Sequence, residues 1–196
     1  MNDFEEEDVR IFWDSVAHKY ELTNSTVKLI HNQRFEQATS YQLDYEPTKI
    51  LNVWSRTGEA LPFLRNRFKG AKIFNLELSE EMITIFKEKF PTENIDKLSF
   101  TSFPFPDQYF DLVISLETIE HTPEPDVFLY EIYRVLKHNR NLIISSPSAF
   151  SEVILKLYEL FFENHGEGPH KFLSSSEVKR RPVSYTHLTL PTILRV

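Results

Sequence analysis

From Lys49 onward, short apolar runs alternate with stretches whose apolar residues recur at helical spacing. That alternation predicts a parallel α/β sheet. Residues 49–53 predict the first strand. Ala60, Leu61, Leu64 and Phe68 then mark a helix, with Pro62 tolerable only in its first turn and Gly70 placed to end it. Residues 72–76 predict the second strand. Ser79 is an N-cap with Glu80 and Glu81 in the first turn, and Met82, Ile83 and Phe86 supply the buried face of a helix stopped by Pro91. A short third strand is expected at 98–100, a fourth at 110–115 and a fifth at 141–145. Between the last two, a helix over 126–137 would bury Leu129, Ile132, Tyr133 and Leu136. Ahead of the sheet, about Glu5 to Phe35 predicts helices. Residues 151–164 predict a helix apolar on more than one stripe, buried on several sides or facing an apolar ligand.

Composition narrows the class. A chain of 196 residues, 41% hydrophobic and 26% charged, fits one ordinary globular domain. No window approaches the roughly 18 apolar residues of a membrane span. The acidic start of the chain is not a secretory signal, so the cytoplasm is the expected compartment and no membrane partner is expected. Without cysteine there is no disulfide, thiolate metal site or cysteine nucleophile, and no metal is expected. A net charge of -7 gives no general attraction for nucleic acid, and the Lys179–Arg181 cluster reads as a solvated face. Glycine changes the picture most. There are only 4, where average usage predicts about 14, and nucleotide-binding α/β folds rely on glycine at tight turns.

Three segments, in order, carry a resemblance: Phe103-Pro-Phe-Pro-Asp-Gln-Tyr-Phe-Asp-Leu-Val113, then Glu120-His121, then Glu131-Ile-Tyr-Arg-Val-Leu-Lys137. Lying between predicted strands, they resemble class I S-adenosylmethionine-dependent methyltransferases of the broad type that includes quinone-biosynthesis enzymes. Residues 10–20 are similar to that family's lead-in helix, and 171–179 to the helix before its final strand pair. The resemblance implies a Rossmann-like parallel sheet with flanking helices, an N-terminal helical cap over 1–46 and an α/β domain over 47–181. It also implies a truncated last helix and a missing closing β-hairpin, which would leave the fifth strand an unpaired edge. Residues 182–196, with Val183-Ser-Tyr-Thr-His-Leu-Thr-Leu-Pro-Thr192, resemble the translation of a sequencing-library adaptor and are expected to be a non-native tail.

The resemblance also supplies candidate site residues. The family pattern Asp-x-Gly-x-Gly-x-Gly falls on Asn52-Val-Trp-Ser-Arg-Thr-Gly58, so only Gly58 of the glycines remains. Cofactor contacts are expected from Asn52, Trp54, Ser55, Thr57 and Gly58, with the indole of Trp54 able to occupy cofactor volume. Glu77, ending the second strand, is the expected ribose acceptor, since a carboxylate offers two acceptor oxygens to a vicinal diol. Leu78 follows it. Ser99 and Phe100 fall at the adenine position, and Leu116 leads out of the fourth strand. His121 is the candidate base, because histidine titrates near neutrality. His165–His170 reads as a substrate-facing loop, and Lys137–Asn141 as a turn in which Asn139 tolerates the left-handed conformation. Two functions follow. One is S-adenosylmethionine-dependent methyl transfer to a small-molecule substrate. The other is a methyltransferase-like domain without cofactor binding, acting as a partner-binding or regulatory module.

Overall fold

The computed structural model describes residues 4–146 and 168–171. A single helix, α1 (Glu6–Ser40), replaces the several helices expected at the N-terminus. It leads into β1 (Lys49–Val53), α2 (Leu61–Arg67), β2 (Lys72–Glu77), α3 (Glu80–Lys89) and β3 (Ile95–Lys97). Then follow β4 (Phe110–Leu116), a 3-10 turn at Ile119–His121, α4 (Pro125–Val135) and β5 (Leu136–Ser145). The strands form one sheet in the order β3-β2-β1-β4-β5, and every pairing is parallel. This is the expected Rossmann-like architecture.

Two apolar layers explain why the strands read as continuous apolar runs. Ile50, Ile73, Leu112, Ile114 and Ile143 face one side, against Leu61, Leu64, Phe68 and Phe86. Leu51, Val53, Val113, Leu142 and Ile144 face the other, against Phe128, Ile132 and Val135. Strands buried on both faces need no polar alternation. Val9, Trp13 and Ala17 of α1 join the second layer, so the cap region and the sheet share a core.

Several element bounds differ from expectation, each for a local reason. The third strand lies at 95–97 rather than 98–100. Leu98 and Phe100 are instead 1% and 0% exposed, plunging into the core after the edge strand, and Leu98 N donates to Glu77 O. The expected turn at 137–141 is part of β5, with a register irregularity opposite Phe110–Leu112; Asn139 does take φ 57° there. Its helix therefore stops at 135, not 137. Gly70 does not cap α2, which ends earlier where Phe68 N donates to Leu64 O. Ser79 is the N-cap expected, its side chain accepting from Met82 N at 3.1 Å. The helix expected over 151–164, the segment 172–179 and the tail lie outside the described residues.

Asp111 ties the amino end of the sheet together. One oxygen accepts from Thr48 N, Thr48 Oγ1 and Lys49 N, and the other pairs with Lys137 Nζ at 2.7 Å. Burial raises its pKa, but Lys137 and Thr48 outweigh that and hold it well below the usual carboxylate range. A depressed folded-state pKa contributes stability above the ordinary value near 3.8 that is lost as pH falls below it. Asp111→Ala is expected to cost about 3 kcal/mol at neutral pH. Urea unfolding should show that deficit shrinking below about pH 4.

Candidate functional site

The ordering β2-β1-β4 puts a topological switch point at the carboxyl ends of β1 and β4, where ligands enter open α/β sheets. The loop after β1 forms one wall. Trp54, Arg56 and Gly58 take φ of 58°, 53° and 94°. These are the three positions where the family pattern has glycine, and a β-carbon there costs roughly 1–2 kcal/mol per residue. The backbone thus keeps a glycine-type path with two large side chains mounted on it. At Gly58 no side chain fits, since a Cβ would stand 2.5 Å from the Phe90 ring.

Those two side chains turn inward. Trp54 is 3% exposed, and its Nε1 donates to Glu77 Oε1 at 2.9 Å. Its ring meets Trp13, Phe100 and His121 edge-on, with centroids 5.6, 5.5 and 4.9 Å away. The Arg56 guanidinium occupies the corner between the perpendicular Trp13 and Trp54 rings, 3.5 and 3.6 Å from their centroids. Burial lowers its pKa, while Tyr20 and Glu77 act in the opposite sense.

Glu77 is buried beneath this arrangement. Oε1 accepts from Trp54 Nε1, Leu78 N and Ser79 N, and Oε2 from Arg56 N at 2.7 Å. Burial pushes its pKa up to about 7, against the pull of Arg56 and the backbone donors. Both oxygens are engaged by donors of the chain itself.

The other candidates are similarly occupied. Asn52 Nδ2 donates to Asn75 Oδ1, within the sheet. Ser99 Oγ and Phe100 N both bond Glu6 Oε2, and Phe100 is enclosed by Trp54 and Phe128. Thr57 Oγ1 donates to Glu59. Leu78 is a core residue, and Leu116 packs at the edge of the α2-side layer. Trp13 and Glu6, which sequence reasoning did not select, close the crevice from α1. The lead-in helix was recognisable in residues 10–20, but which of its side chains reach the sheet was not.

His121 sits beside the indoles, 7% exposed. Its Nδ1 meets the Pro169 carbonyl at 2.9 Å, so Nδ1 carries the proton and Nε2 the lone pair. Burial first, then Arg56, lowers its pKa to about 3, which makes it a weak base at neutral pH. The described part of the expected substrate-facing loop, 168–170, packs here together with Lys171. Gly168 lies at φ 75° against the Phe12 ring, and Lys171 N donates to Glu120 O. Because unfolded chains protonate histidine near 6.5 and this fold resists it down to about 3, stability should fall as pH drops through that window. The slope is at most about 1.4 kcal/mol per pH unit for one group. In His121→Gln, urea unfolding should show this contribution removed.

Among the described residues no cluster suits a metal ion, and no helix is long and apolar enough to cross a membrane.

Residues 51–144 match the protein family described as "Methyltransferase domain". The chain is 28% identical over 154 residues to a demethylmenaquinone methyltransferase of Bacteroides fragilis, covering 74% of this chain and 63% of that one. It is 31% identical over 122 residues to a fatty-acid O-methyltransferase of Mycolicibacterium smegmatis, covering 60% of this chain and 41% of the relative. It therefore spans less than two thirds of these relatives' length. A crystal structure of an S-adenosylmethionine-dependent methyltransferase from Archaeoglobus fulgidus superposes with a TM-score of 0.65 at 18% identity, over 85% of this chain and 72% of that one. At that identity the likeness speaks for the fold.

Proposed function

We propose that this chain, which carries a class I methyltransferase domain matched over residues 51–144, has closed the adenosyl crevice with its own side chains. On this reading it serves as a binding module rather than as a methyl-transfer enzyme. The family is one of S-adenosylmethionine-dependent enzymes. The residues present at the crevice do not fit that cofactor: the carboxylate expected to hold ribose accepts four N–H groups of the chain. The observation that carries the reading is the Trp54 Nε1–Glu77 Oε1 bond, which fills the ribose position with indole.

Magnitudes support closure. Evicting the indole and guanidinium would break a charge-assisted hydrogen bond and two cation–π contacts. Together these are worth roughly 4 kcal/mol, or about a thousandfold in affinity. A second reading has one observation in its favour: the loop backbone retains positive φ at 54, 56 and 58. An opened Trp54 would then admit the cofactor for transfer to a small-molecule acceptor.

A thermal-shift titration decides between them. A ligand at about a hundred times its Kd adds roughly 2.7 kcal/mol, some 5–10 °C for a chain of this size. We expect no shift with millimolar S-adenosylmethionine or S-adenosylhomocysteine. A saturable rise of several degrees would overturn the binding-module reading in favour of methyl transfer.

A further inference from the structure

Buried polar atoms without a partner are uncommon in folded proteins, and each asks for an explanation. Among the described residues they concentrate at one place. Trp13 Nε1, Ser55 Oγ, Arg56 Nη1, Ser115 Oγ and Glu120 Oε2 are all buried and unbonded. Ser55 and Arg56 follow β1, Ser115 is in β4, and Glu120 lies in the turn after it. Trp13 closes the same end through Arg56 and His121. The atoms therefore gather at the switch point, around the side chains that fill the crevice.

Glu120 Oε2 is an acceptor, and the other four atoms donate or can donate. An indole N–H and a guanidinium N–H can only donate, and the two hydroxyls can donate by rotation. Arg56 is held in the corner of two perpendicular indoles, so its planar fork is fixed before any ligand arrives. Glu77, one of the acids acting on Arg56, already accepts from Trp54 Nε1, Arg56 N, Leu78 N and Ser79 N. A carboxylate supplies what is missing: two acceptor oxygens, a plane matching a guanidinium and a negative charge.

We infer that this corner receives a small organic carboxylate, whose oxygens accept from Arg56 Nη1 and Trp13 Nε1 with Ser55 and Ser115 hydroxyls alongside. Glu120 Oε2 meets a hydroxyl of the ligand or keeps its own proton. The inference rests on Trp54 and Arg56 remaining in place, as the proposed function holds.

The chain has 2 tryptophans, Trp13 and Trp54, and both belong to this corner. Two indole N–H signals in a nitrogen–proton NMR spectrum therefore report on it alone. Sodium acetate is the probe, acetamide the uncharged analogue of the same size, and sodium chloride holds ionic strength constant. The Trp13 signal should move saturably with acetate. The Trp54 signal, already bonded to Glu77, should move less. Acetate should bind at least about tenfold more tightly than acetamide, and Arg56→Met should lose about tenfold or more. A response to acetate no greater than to acetamide or chloride would overturn the inference and leave these atoms to water. So would acetate binding unchanged in a folded Arg56→Met. Should that variant fail to fold, the acetate–acetamide comparison on the unaltered chain decides alone. S-adenosylmethionine added to the same sample separates the two readings. Displacement of the Trp54 signal refutes crevice closure, whereas acetate failure with an undisturbed Trp54 refutes only the carboxylate.

Discussion

Restoring glycine at both altered positions, Trp54→Gly with Arg56→Gly, is expected to tighten S-adenosylmethionine binding by opening the crevice that the proposed closure blocks. The backbone already follows a glycine path, with φ of 58° and 53° at these residues. Glycine therefore relieves roughly 1–2 kcal/mol of strain at each. Against that stands the loss of a buried tryptophan, about 3–5 kcal/mol. The variant should be less stable by about 1 kcal/mol, roughly 2–4 °C in Tm. S-adenosylhomocysteine should recover that loss, because Glu77 Oε1 would lose its indole donor and regain acceptor capacity facing an emptied crevice. Calorimetric titration of the folded variant is the direct measurement. Binding no tighter than in the parent chain would show that steric filling is not what closes the site. The single change Trp54→Phe provides a gentler control. It keeps an aromatic ring in the crevice but removes the N–H bonded to Glu77, so cofactor binding should gain far less than in the double variant.

The largest loss of stability is expected from Glu77→Ala. Four N–H groups, those of Trp54 Nε1, Arg56, Leu78 and Ser79, lose their acceptor at once. The Arg56 cation also loses the carboxylate that stabilises it. Leaving a buried charge uncompensated costs roughly 3–5 kcal/mol, a large share of a typical total near 5–15 kcal/mol. Glu77→Gln keeps one acceptor oxygen and should cost about half as much. The pH dependence identifies the group. A carboxyl whose folded-state pKa is raised from 4.5 to about 7 binds its proton more readily when folded. Its contribution therefore declines as pH rises from about 4.5 to about 7, opposite in sense to that of His121. Between about 4.5 and 6.5 the two slopes offset each other in the parent chain. Glu120, pushed well above its ordinary value by burial and then by Glu117, adds a declining slope of its own. In Glu77→Gln the Glu77 slope is removed, so urea-measured stability should rise relative to the parent's across that range. A profile identical to the parent's would mean that Glu77 does not titrate there.

The sequence by itself determined the sheet. Parallel strands buried on both faces need only apolar runs, and helices need only an apolar stripe with a cap, so Lys49–Val53, Phe110–Ser115 and Ser79 were legible from neighbours alone. Where apolar residues marked the core rather than the ladder, as at Leu98 and Phe100, the strand was displaced from its expected place. The sequence also gave away the missing glycines and the acid at the end of β2. What it could not decide was where two large side chains would go. Trp54 meets Glu77 across 23 residues, and Arg56 lies against a Trp13 delivered by α1. A side chain's direction at a loop is chosen by partners distant in the chain, because packing and hydrogen bonding act through space. Local pattern carries no record of them. Only the tertiary structure showed that indole and guanidinium turn inward onto Glu77 and Trp13.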